Sequence, residues 1–376
     1  METDVFIVGG GPAGLATAIA VRRAGFGVVV ADMSQAPTDK ASGEGIMPGG
    51  LEALGRLGIT VPAETCVPFR GIRFVDNAGT VAADFPSGNG FGIRRTTLQQ
   101  ILLNAAADAG VSMMWKARVT AADDVANVEQ RPLTEAMIDG TRVRFRHVVA
   151  ADGYGSRLAA AAGLHDSQPA RRRVAFREHY RIAPWSKHAE VHWSDCGQLY
   201  ITPIANDEVC AAFITRRRDL RLSDALSSFP EAQRRLAGAP STQPALTAIT
   251  ATRTLRAVYR GNLALVGDAS GSVDAVTGEG LATAFRQAMA LAEAMRGGDL
   301  TAYQSAHDEI MRRPLAMARL MLLMDDRPRL RHRVFRVLSS APHLFEKMLA
   351  IHVGTMSPLE LGVRNAATFG WRMITA

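Results

Sequence analysis

The sequence predicts an α/β protein: one sheet built from separated segments of the chain, an inserted antiparallel sheet, and a helical C-terminal region. Three observations predict this fold. Apolar runs of strand length alternate with helical periodicity near the start of the chain, and this pattern returns after residue 258. Residues 173–216 instead alternate apolar and polar side chains. From residue 311 the chain is rich in Met, Leu and Arg at helical spacing.

The first strand, turn and helix predict a Rossmann-type nucleotide-binding unit. An apolar strand ends at a glycine cluster, and a helix is predicted over residues 12–24. In such a turn Gly9 permits the tight bend, Gly11 lets the backbone approach a pyrophosphate, and Gly14 lets the helix pack on the strand. The pyrophosphate is expected at the helix N-terminus. A second buried strand then leads to Asp32, which is placed to accept hydrogen bonds from a ribose hydroxyl.

The next segments supply a loop and further elements of both sheets. The glycine-rich loop at residues 40–48 is expected to lie close against a flat partner, and a short helix follows at 49–57. Residues 70–85 predict a strand pair. A helix is predicted at 96–109, and strands at 111–119 and 143–151.

The inserted segment predicts an antiparallel sheet with one solvent-exposed face, because its side chains alternate in character. After it, a buried strand ends at Gly267-Asp268, a glycine-punctuated loop spans 271–280, and a long helix is predicted over 281–295. We therefore predict three parts. The nucleotide-binding domain comprises residues 1–70, 92–165 and 258–310, the substrate domain 71–91 and 166–257, and the C-terminal helical region 311–376.

The composition is that of an ordinary globular protein, with 47% hydrophobic and 21% charged residues. The three cysteines lack C-x-x-C spacing, which argues against structural zinc and suits a reducing cytoplasm. The chain opens on a strand and has no apolar run of bilayer length, so we expect neither a leader segment nor a membrane span. The net charge of +7 by itself is compatible with nucleic acid, an anionic membrane or a phosphorylated nicotinamide cofactor as a partner, or with a simply basic surface; nucleic acid is not expected.

The tail combines an apolar stripe with crowded arginines. Methionines and leucines at residues 317–324 have helical spacing, and five arginines follow within residues 327–336. Such a stripe is typical of a helix that covers a domain. It also fits a surface that contacts an anionic membrane, or a wall that holds a lipid-like substrate.

Three separated motifs together resemble flavoproteins of the p-hydroxybenzoate hydroxylase fold, which include group A aromatic monooxygenases and geranylgeranyl reductases. The first is the glycine turn at residues 9–14. The second is Asp152-Gly153 with Ser156-Arg157, and the third is Gly267-Asp268-Ala269. The resemblance covers residues 1 to about 295. It implies bound FAD in a Rossmann-type domain, with NAD(P)H as a transient co-substrate and no resident metal.

Carried over residue by residue, the resemblance implies cofactor contacts along the chain. The expected FAD-binding residues are Gly9, Gly11, Ala13, Gly14, Asp32, Gly43, Glu44, Gly45, Ile46, Arg95, Val119, Asp152, Asp268, Gly278, Glu279, Gly280 and Leu281. A helix that begins near Gly280 directs its partial positive charge at the flavin, where reduction places negative charge. The pocket candidates on the inserted sheet are His179, His192 and Tyr200; strand alternation places His179 and Tyr180 on opposite faces.

The chain departs from the family pattern at several positions. Asp32 stands where glutamate is commoner, Ala159 where many members have a second arginine, and Ala275 where proline is common. The segment Gly43–Pro48 is similar to one in flavin halogenases, but the lysine and the Trp-x-Trp segment of those enzymes are missing, so halogenation is not expected. Ser42 stands where some reductases carry a cysteine.

The resemblance leaves three hypotheses for function. The first is an NAD(P)H-using monooxygenase, with molecular oxygen as a co-substrate, that acts through a flavin C4a-hydroperoxide on a lipophilic, aromatic or polyketide-like molecule. The second is a flavin reductase of isoprenoid double bonds, favoured by residues 277–280 and the apolar tail. The third is a non-catalytic flavin-holding protein that docks on a membrane or partner through its basic tail. The pattern leaves the choice of NADH or NADPH open.

Overall fold

The computed structural model describes residues 1–120, 134–138, 140–164 and 171–362, together with 365, 369, 370, 372 and 373. The domain boundary predicted at 165/166 lies outside these residues. The fold class is the predicted one: an α/β protein with two large sheets and a helical C-terminal region.

The first large sheet has the strand order of a Rossmann-type domain. Its central path runs β18-β19-β11-β1-β2-β8, and β19, β11, β1, β2 and β8 are mutually parallel. The strands of this sheet are β1 (Glu2–Val8), β2 (Val28–Asp32), β8 (Ser112–Trp115), β9 (Val119–Thr120), β10 (Thr134–Ile138), β11 (Thr141–Ala150), β18 (Tyr259–Arg260) and β19 (Leu263–Leu265). Helices cover both faces, so Val28–Val30 and Leu263–Leu265 are wholly buried, as an uninterrupted apolar run requires.

The second large sheet is the inserted one. It has the order β16-β12-β15-β14-β13-β5-β6 and is antiparallel except between β13 and β5. The strands are β5 (Gly71–Asp76), β6 (Gly79–Asp84), β12 (Arg173–Tyr180), β13 (Ala189–Ser194), β14 (Gly197–Ala205), β15 (Glu208–Thr215) and β16 (Leu246–Thr250). The predicted strand pair at 70–85 is thus β5 and β6, and it joins this sheet as its edge.

The predicted solvent-exposed face of the inserted sheet is wrong. All eight residues of β15 are buried. One face packs Phe176, Leu199 and Phe213 against short helices that carry Leu222 and Phe229. The other face lies over the first domain, so the polar residues of the alternation point into the molecule.

Two small sheets complete the strands. One has the order β3-β7-β4, with β3 (Gly45–Ile46), β4 (Val67–Phe69) and β7 (Gly90–Gly92), and the other pairs β17 (Arg253–Thr254) with β20 (Gly271–Ser272). The small sheet around β3 fixes part of the glycine-rich loop at 40–48 between the two large sheets.

Ten α-helices are described. They are α1 (Pro12–Arg23), α2 (Pro48–Arg56), α3 (Arg95–Asp108), α4 (Arg157–Ala161), α5 (Leu222–Ala225), α6 (Pro230–Leu236), α7 (Gly280–Gly297), α8 (Leu300–Asp326), α9 (Pro328–Ser340) and α10 (Pro342–Val353). Short 3-10 turns lie at Ala63–Thr65, Leu226–Ser228, Gly267–Ser270, Ala275–Thr277 and Pro358–Leu361. The predicted helices at 12–24, 49–57, 96–109 and 281–295 agree within two residues at each end.

One predicted strand is interrupted. The segment 111–119 forms β8 and β9 as separate strands, because the backbone turns at Lys116, whose φ of 56° is in the left-handed region. The C-terminal helices pack on the inserted sheet: Phe335 and Phe345 contact Phe74 of β5. Within the described residues, no helix combines the length and apolar character needed to cross a bilayer.

Candidate functional site

One cavity of about 840 Å³ runs between the two large sheets and on to the C-terminal helices. It begins at the carboxyl ends of β1, β2, β11 and β19, which parallel pairing brings to one edge. Each of these strands is followed by a predicted site segment. Ligands of open α/β sheets bind at this edge.

The glycine turn has the close contacts that its sequence predicts. Gly9 has φ 112°, and a Cβ there would lie 2.3 Å from the Ala151 carbonyl oxygen. A Cβ on Gly14 would lie 1.8 Å from the Gly9 carbonyl oxygen, so α1 packs directly on the turn. A Cβ on Gly11 would meet nothing within 4 Å, because Gly11 borders the cavity. The N-terminus of α1 has no side-chain cap, so its backbone N–H groups stay available to an anion.

Asp32 lies beside this turn and is held by backbone donors. Its Oδ2 accepts from the Gly10 N–H at 2.6 Å, and its Oδ1 accepts from the Ser34 N–H at 2.7 Å. Gln99 of α3 donates to the Gly10 carbonyl at 2.8 Å and fixes the turn from the other side. A carboxylate oxygen accepts more than one hydrogen bond, so Asp32 can still bind ligand hydroxyls.

Arg95 and Asp268 form the charged middle of the cavity. The Arg95 Nε is buried without a hydrogen-bond partner among the described atoms. Burial lowers the pKa of Arg95, although Asp268, Glu44 and Asp39 oppose the effect. Burial likewise raises the pKa of Asp268 against the opposing charges of Arg95, Arg253 and Lys40. Asp268 and Arg95 both line the cavity, so both groups can contact a polar ligand there.

The second Asp-Gly motif forms a tight turn after β11. Gly153 has φ 85°, and Asp152 Oδ2 accepts from the Arg157 N–H at 3.0 Å. Ser156 caps α4 by accepting from the Ala159 N–H at 3.0 Å. Asp152, Arg157 and Val119 all line the cavity.

The loop at residues 43–46 is held through Glu44. Glu44 has φ 54°, an unfavourable backbone conformation for a residue with a side chain. Its Oε1 accepts from the Arg95 N–H at 2.9 Å, and its Oε2 lies 2.6 Å from His179 Nε2 on β12. Gly43, Gly45 and Glu44 face the cavity between these anchors.

The loop at residues 274–281 forms the wall opposite. Asp274 accepts from the Val276 N–H at 3.0 Å and pairs with buried Arg173 at 3.0 Å. Gly278 has φ 67°, and α7 begins at Gly280 with its N-terminus beside the cavity. His352 of α10 donates from Nε2 to the Thr277 carbonyl at 3.1 Å. The C-terminal region thus supports this loop from behind.

The far end of the cavity is apolar. We call this end the apolar chamber; its walls come from the inserted sheet, the 274–281 loop and the C-terminal helices. The residues of the chamber are Phe69, Ile72, Phe74, Val191, Tyr200, Val276, Met317, Leu320, Met321, Met324, Phe345, Met348 and Leu349. Four methionines make its wall adaptable in shape.

The structure brings most predicted site residues to this cavity. Those that line it are Gly9, Gly11, Ala13, Asp32, Gly43, Glu44, Gly45, Ile46, Arg95, Val119, Asp152, Tyr200, Asp268, Gly278, Gly280 and Leu281. Gly14 lies behind the turn, and Glu279 points to Arg313 at 3.7 Å instead. Their individual roles in binding stay predictions.

The three pocket candidates differ in position. Only Tyr200 is in the wall; its hydroxyl donates to the Val276 carbonyl at 2.9 Å, and burial raises its pKa. His179 and His192 lie outside the wall, because each ring pairs with a buried carboxylate, Glu44 at 2.6 Å and Glu190 at 2.9 Å. His179 and Tyr180 do lie on opposite faces, since Tyr180 packs in the outer core of the sheet.

One group of described residues has the spacing of a metal site. Ligand atoms of Glu44, His179 and Cys210 lie within 4.8 Å of one another. Arg94 and Arg177 approach the same histidine at 2.7 and 2.9 Å. A cation would face two guanidinium groups, so the arrangement suits a hydrogen-bond network instead.

Sequence reasoning missed two contributors to the site. Arg177 of β12 lines the cavity, and His352 supports the 274–281 loop. Burial lowers the pKa of His352, as does Arg313, against Glu279, so the ring is neutral. The methionine stripe signalled a covering helix, but no pattern placed His352 beside Thr277, some 75 residues earlier.

Comparisons with known proteins agree with this geometry. The sequence profile of the FAD binding domain matches residues 2–317. A menaquinone reductase from Mycolicibacterium smegmatis is 29% identical over 354 residues, 87% of this chain and 86% of that protein. Digeranylgeranylglycerophospholipid reductase 1 from Methanothermobacter thermautotrophicus is 25% identical over 327 residues, 80% of each chain.

The architecture also matches solved structures. A flavoprotein/dehydrogenase from Cytophaga hutchinsonii superposes with a TM-score of 0.81 over 100% of this chain and 98% of its own, at 17% identity. At that identity the match supports the fold alone. The free space beside Gly11, the unpartnered Nε of Arg95 and the uncapped N-terminus of α1 all fit an extended dinucleotide with a pyrophosphate.

Proposed function

Because this chain belongs to the FAD binding domain family and is an FAD-dependent oxidoreductase, we propose that it reduces a carbon–carbon double bond of a long isoprenoid lipid. FAD would be held by the glycine turn, Asp32, Arg95 and Asp268. When bound, it would supply the hydride transfer. The residues of the chain then have to orient the lipid and keep water from the reacting carbons.

The observation that carries this proposal is the apolar chamber. None of the residues that define the chamber is charged, and the Tyr200 hydroxyl donates to the Val276 carbonyl. The neighbouring polar residues of the cavity wall, Glu190 and His352, already have partners: Glu190 accepts from Arg73 and pairs with His192, and His352 donates to the Thr277 carbonyl. A chain of repeated apolar units would fill such a space without leaving polar groups unpaired. Leu320 and Ile249 line the cavity and are 40% and 49% exposed, so the wall continues to the surface.

The sequence relatives point in the same direction. They are named for the reduction of a menaquinone and of a digeranylgeranylglycerophospholipid. Both compounds carry long isoprenoid chains. The relatives cover 80% or more of this chain.

Hydroxylation of a phenol, the first hypothesis from sequence, finds less support in the geometry. A phenol would benefit from a nearby base. His179 and His192 do not line the cavity. His352 does line it, but its Nε2 donates to the Thr277 carbonyl and its Nδ1 is buried. We therefore place the reductase first and make oxygen incorporation an outcome of the test.

The test uses purified protein loaded with FAD, kept anaerobic and supplied with an isoprenoid quinone in detergent. NADH, NADPH and dithionite are compared as electron donors, because the use of NAD(P)H is itself a prediction to be tested. We expect the oxidised flavin absorbance to return on addition of the lipid. The product, once its ring has been re-oxidised to the quinone, should be two mass units heavier than the substrate. Product formed only in air, with an atom of labelled oxygen, would overturn the reductase in favour of a monooxygenase.

Two controls isolate the protein's contribution. Dithionite with free FAD excludes non-enzymatic reduction, and a saturated isoprenoid lipid of the same length gives binding without turnover. The proposal of double-bond reduction is contradicted if the protein binds the saturated lipid but its reduced flavin is not re-oxidised by any unsaturated lipid.

A further inference from the structure

Behind the 43–46 loop lies a buried network that joins the inserted sheet to the first domain. At its centre are Glu44, whose side chain is 1% exposed, and His179 of β12, which is equally buried. His179 Nε2 and Glu44 Oε2 are 2.6 Å apart. The contact links two domains at the cavity wall, yet the histidine does not reach the cavity itself.

The hydrogen bonds fix the tautomer of His179. Arg94 Nη1 lies 2.7 Å from His179 Nδ1, whereas Arg177 Nη1 lies 2.9 Å from both ring nitrogens, so the assignment depends on Arg94 at Nδ1 and Glu44 at Nε2. A guanidinium only donates, so Nδ1 accepts and carries no hydrogen. The ring proton is therefore on Nε2 and is donated to Glu44. A second proton on the ring would point at two cations.

The same logic requires a carboxylate at position 44. Oε1 accepts from the Arg95 N–H at 2.9 Å, and Oε2 accepts from His179. Neither partner can accept, so neither oxygen of Glu44 carries a proton. Cys210 adds a thiol: burial and Glu44 raise its pKa well above the ordinary value, so the sulfur keeps its hydrogen.

The arginines are balanced on their outer sides. Arg94 pairs with Glu208, and Arg177 pairs with Asp39 at 2.5 Å. Asp39 precedes the glycine-rich loop, so the network holds this loop at both Asp39 and Glu44. Both arginines are thus paired with carboxylates, and the Glu44 carboxylate is satisfied by hydrogen bonds from the Arg95 N–H and His179, as a buried charge requires.

The backbone shows why this lock is needed. Glu44 occupies the left-handed region with φ 54°, a backbone conformation that is unfavourable for a residue with a side chain. Such a conformation persists only when the surroundings determine it. Gly43 and Gly45, on either side, line the cavity and take their position from Glu44.

We propose that His179 is a positioning residue that locks Glu44, and with it the 43–46 loop, in the shape that FAD binding needs, while the Glu44 charge disfavours flavin reduction. A negative charge beside the flavin opposes the negative charge that reduction adds. This inference goes beyond the proposed reaction and holds for any chemistry of the bound flavin.

The first test is Glu44→Gln. A glutamine amide has one acceptor and one donor end, so it leaves a donor facing either the Arg95 N–H or the His179 Nε2–H. We expect FAD affinity to fall about tenfold or more, by loss of a charged hydrogen bond. The midpoint potential of the flavin that still binds should rise. Glu52→Gln, on the exposed side of α2, is the matched control and should change neither.

The second test is His179→Leu beside His179→Gln. Leucine leaves Glu44 and two arginines without their partner, whereas glutamine keeps a donor and an acceptor and should restore part of the FAD affinity. The FAD dissociation constant is measured by quenching of flavin fluorescence, and the potential by equilibration with a reference dye. His343→Leu, exposed on α10, is the control.

The inference fails if Glu44→Gln and His179→Gln bind FAD with the native affinity and potential. It also fails if Leu and Gln at position 179 lower the affinity equally, since a mere packing role predicts that result. If His179→Leu does not fold, the Glu44→Gln potential decides alone: an unchanged or lower value overturns the proposal.

Discussion

Gly11 and Gly14 face opposite kinds of space, although they lie in one turn. A side chain at Gly14 would collide with the Gly9 carbonyl, whereas one at Gly11 would enter the cavity. Gly11 has φ −75°, which any residue adopts. Gly11 therefore borders the space open to a ligand, whereas Gly14 allows α1 to pack closely on the turn.

We expect Gly11→Ala to leave the free energy of unfolding of the ligand-free protein nearly unchanged and to weaken FAD binding about tenfold or more. Gly14→Ala should lower the free energy of unfolding by about 1–3 kcal/mol or more, because the methyl group overpacks the turn. Urea unfolding of the ligand-free proteins and FAD titration measure the two effects separately. Equal destabilisation by both changes would contradict the assignment.

Burial is the main cause of the lowered pKa of His307 on α8. Its Nε2 lies 3.0 Å from Ser270 Oγ, and burial lowers its pKa from 6.5 to about 4, although Asp308 opposes the shift. The unfolded chain therefore takes up this proton first as the pH falls. The contribution of His307 to stability is complete above pH 6.5 and is lost between pH 6.5 and about 4.

We expect the free energy of unfolding to fall more steeply over that interval in the native protein than in His307→Gln, by about 3 kcal/mol in total. Urea unfolding at a series of pH values measures the slope, and His343→Gln on the surface of α10 is the control. Parallel slopes for native protein and His307→Gln would show that His307 is not the group that titrates.

At the scale of elements, helix α9 carries one arginine that is buried in an ion pair and others that face solvent. Arg331 of α9 is buried and pairs with Asp76 at 2.8 Å, which ties this helix to β5. Arg329, Arg333 and Arg336 are exposed and share one face of α9 at helical spacing. The inner face of the helix covers the inserted sheet, and the outer face is available to an anionic partner.

Membrane contact through α9 is a proposal that this face makes testable. Changing Arg329, Arg333 and Arg336 to Glu should reduce co-sedimentation with vesicles containing phosphatidylglycerol, because each arginine near an anionic surface contributes about 1 kcal/mol. The control changes three exposed arginines of the inserted domain to Glu: Arg218, Arg234 and Arg235. This triple variant has the same change in net charge and should have little effect on co-sedimentation. Equal loss in both triple variants would point to net charge alone.

The sequence predicts elements well where a local signal marks their ends. Pro12, Gly25 and the glycines before α7 mark helix ends, and the helices agree within two residues. Arg331 could not be told from its exposed neighbours, because its burial depends on Asp76, 255 residues away. The solvent-exposed face of the inserted sheet was wrong for a similar reason. Alternation shows that two faces differ, but not that α5 and α6 cover one of them and the first domain the other.

At the scale of the whole molecule, the cavity exists only because three parts meet. The first sheet contributes the turn beside Gly11, the inserted sheet contributes Tyr200, and α8 contributes Met317. The residues that line the cavity at the first sheet could be predicted because their motifs are local. The chamber could not, since its wall joins residues of β4, β5, β13, β14, α8 and α10 that no spacing connects.

If the chain reduces an isoprenoid lipid as proposed, the size of the chamber should set the length of lipid that it accepts. Met317 of α8 is partly buried and lines the chamber. It belongs to none of the motifs predicted to bind the cofactor. Met317→Trp should fill part of the space, so that KM rises for a lipid with many isoprene units and stays nearly unchanged for a one-unit analogue. FAD affinity should not change. Leu323→Trp, exposed on the same helix, is the matched control. Since a longer substrate reaches deeper among the methionines, an equal rise of KM for both lengths would mean that the tail of the lipid lies elsewhere, and the C-terminal helices would then only support the 274–281 loop.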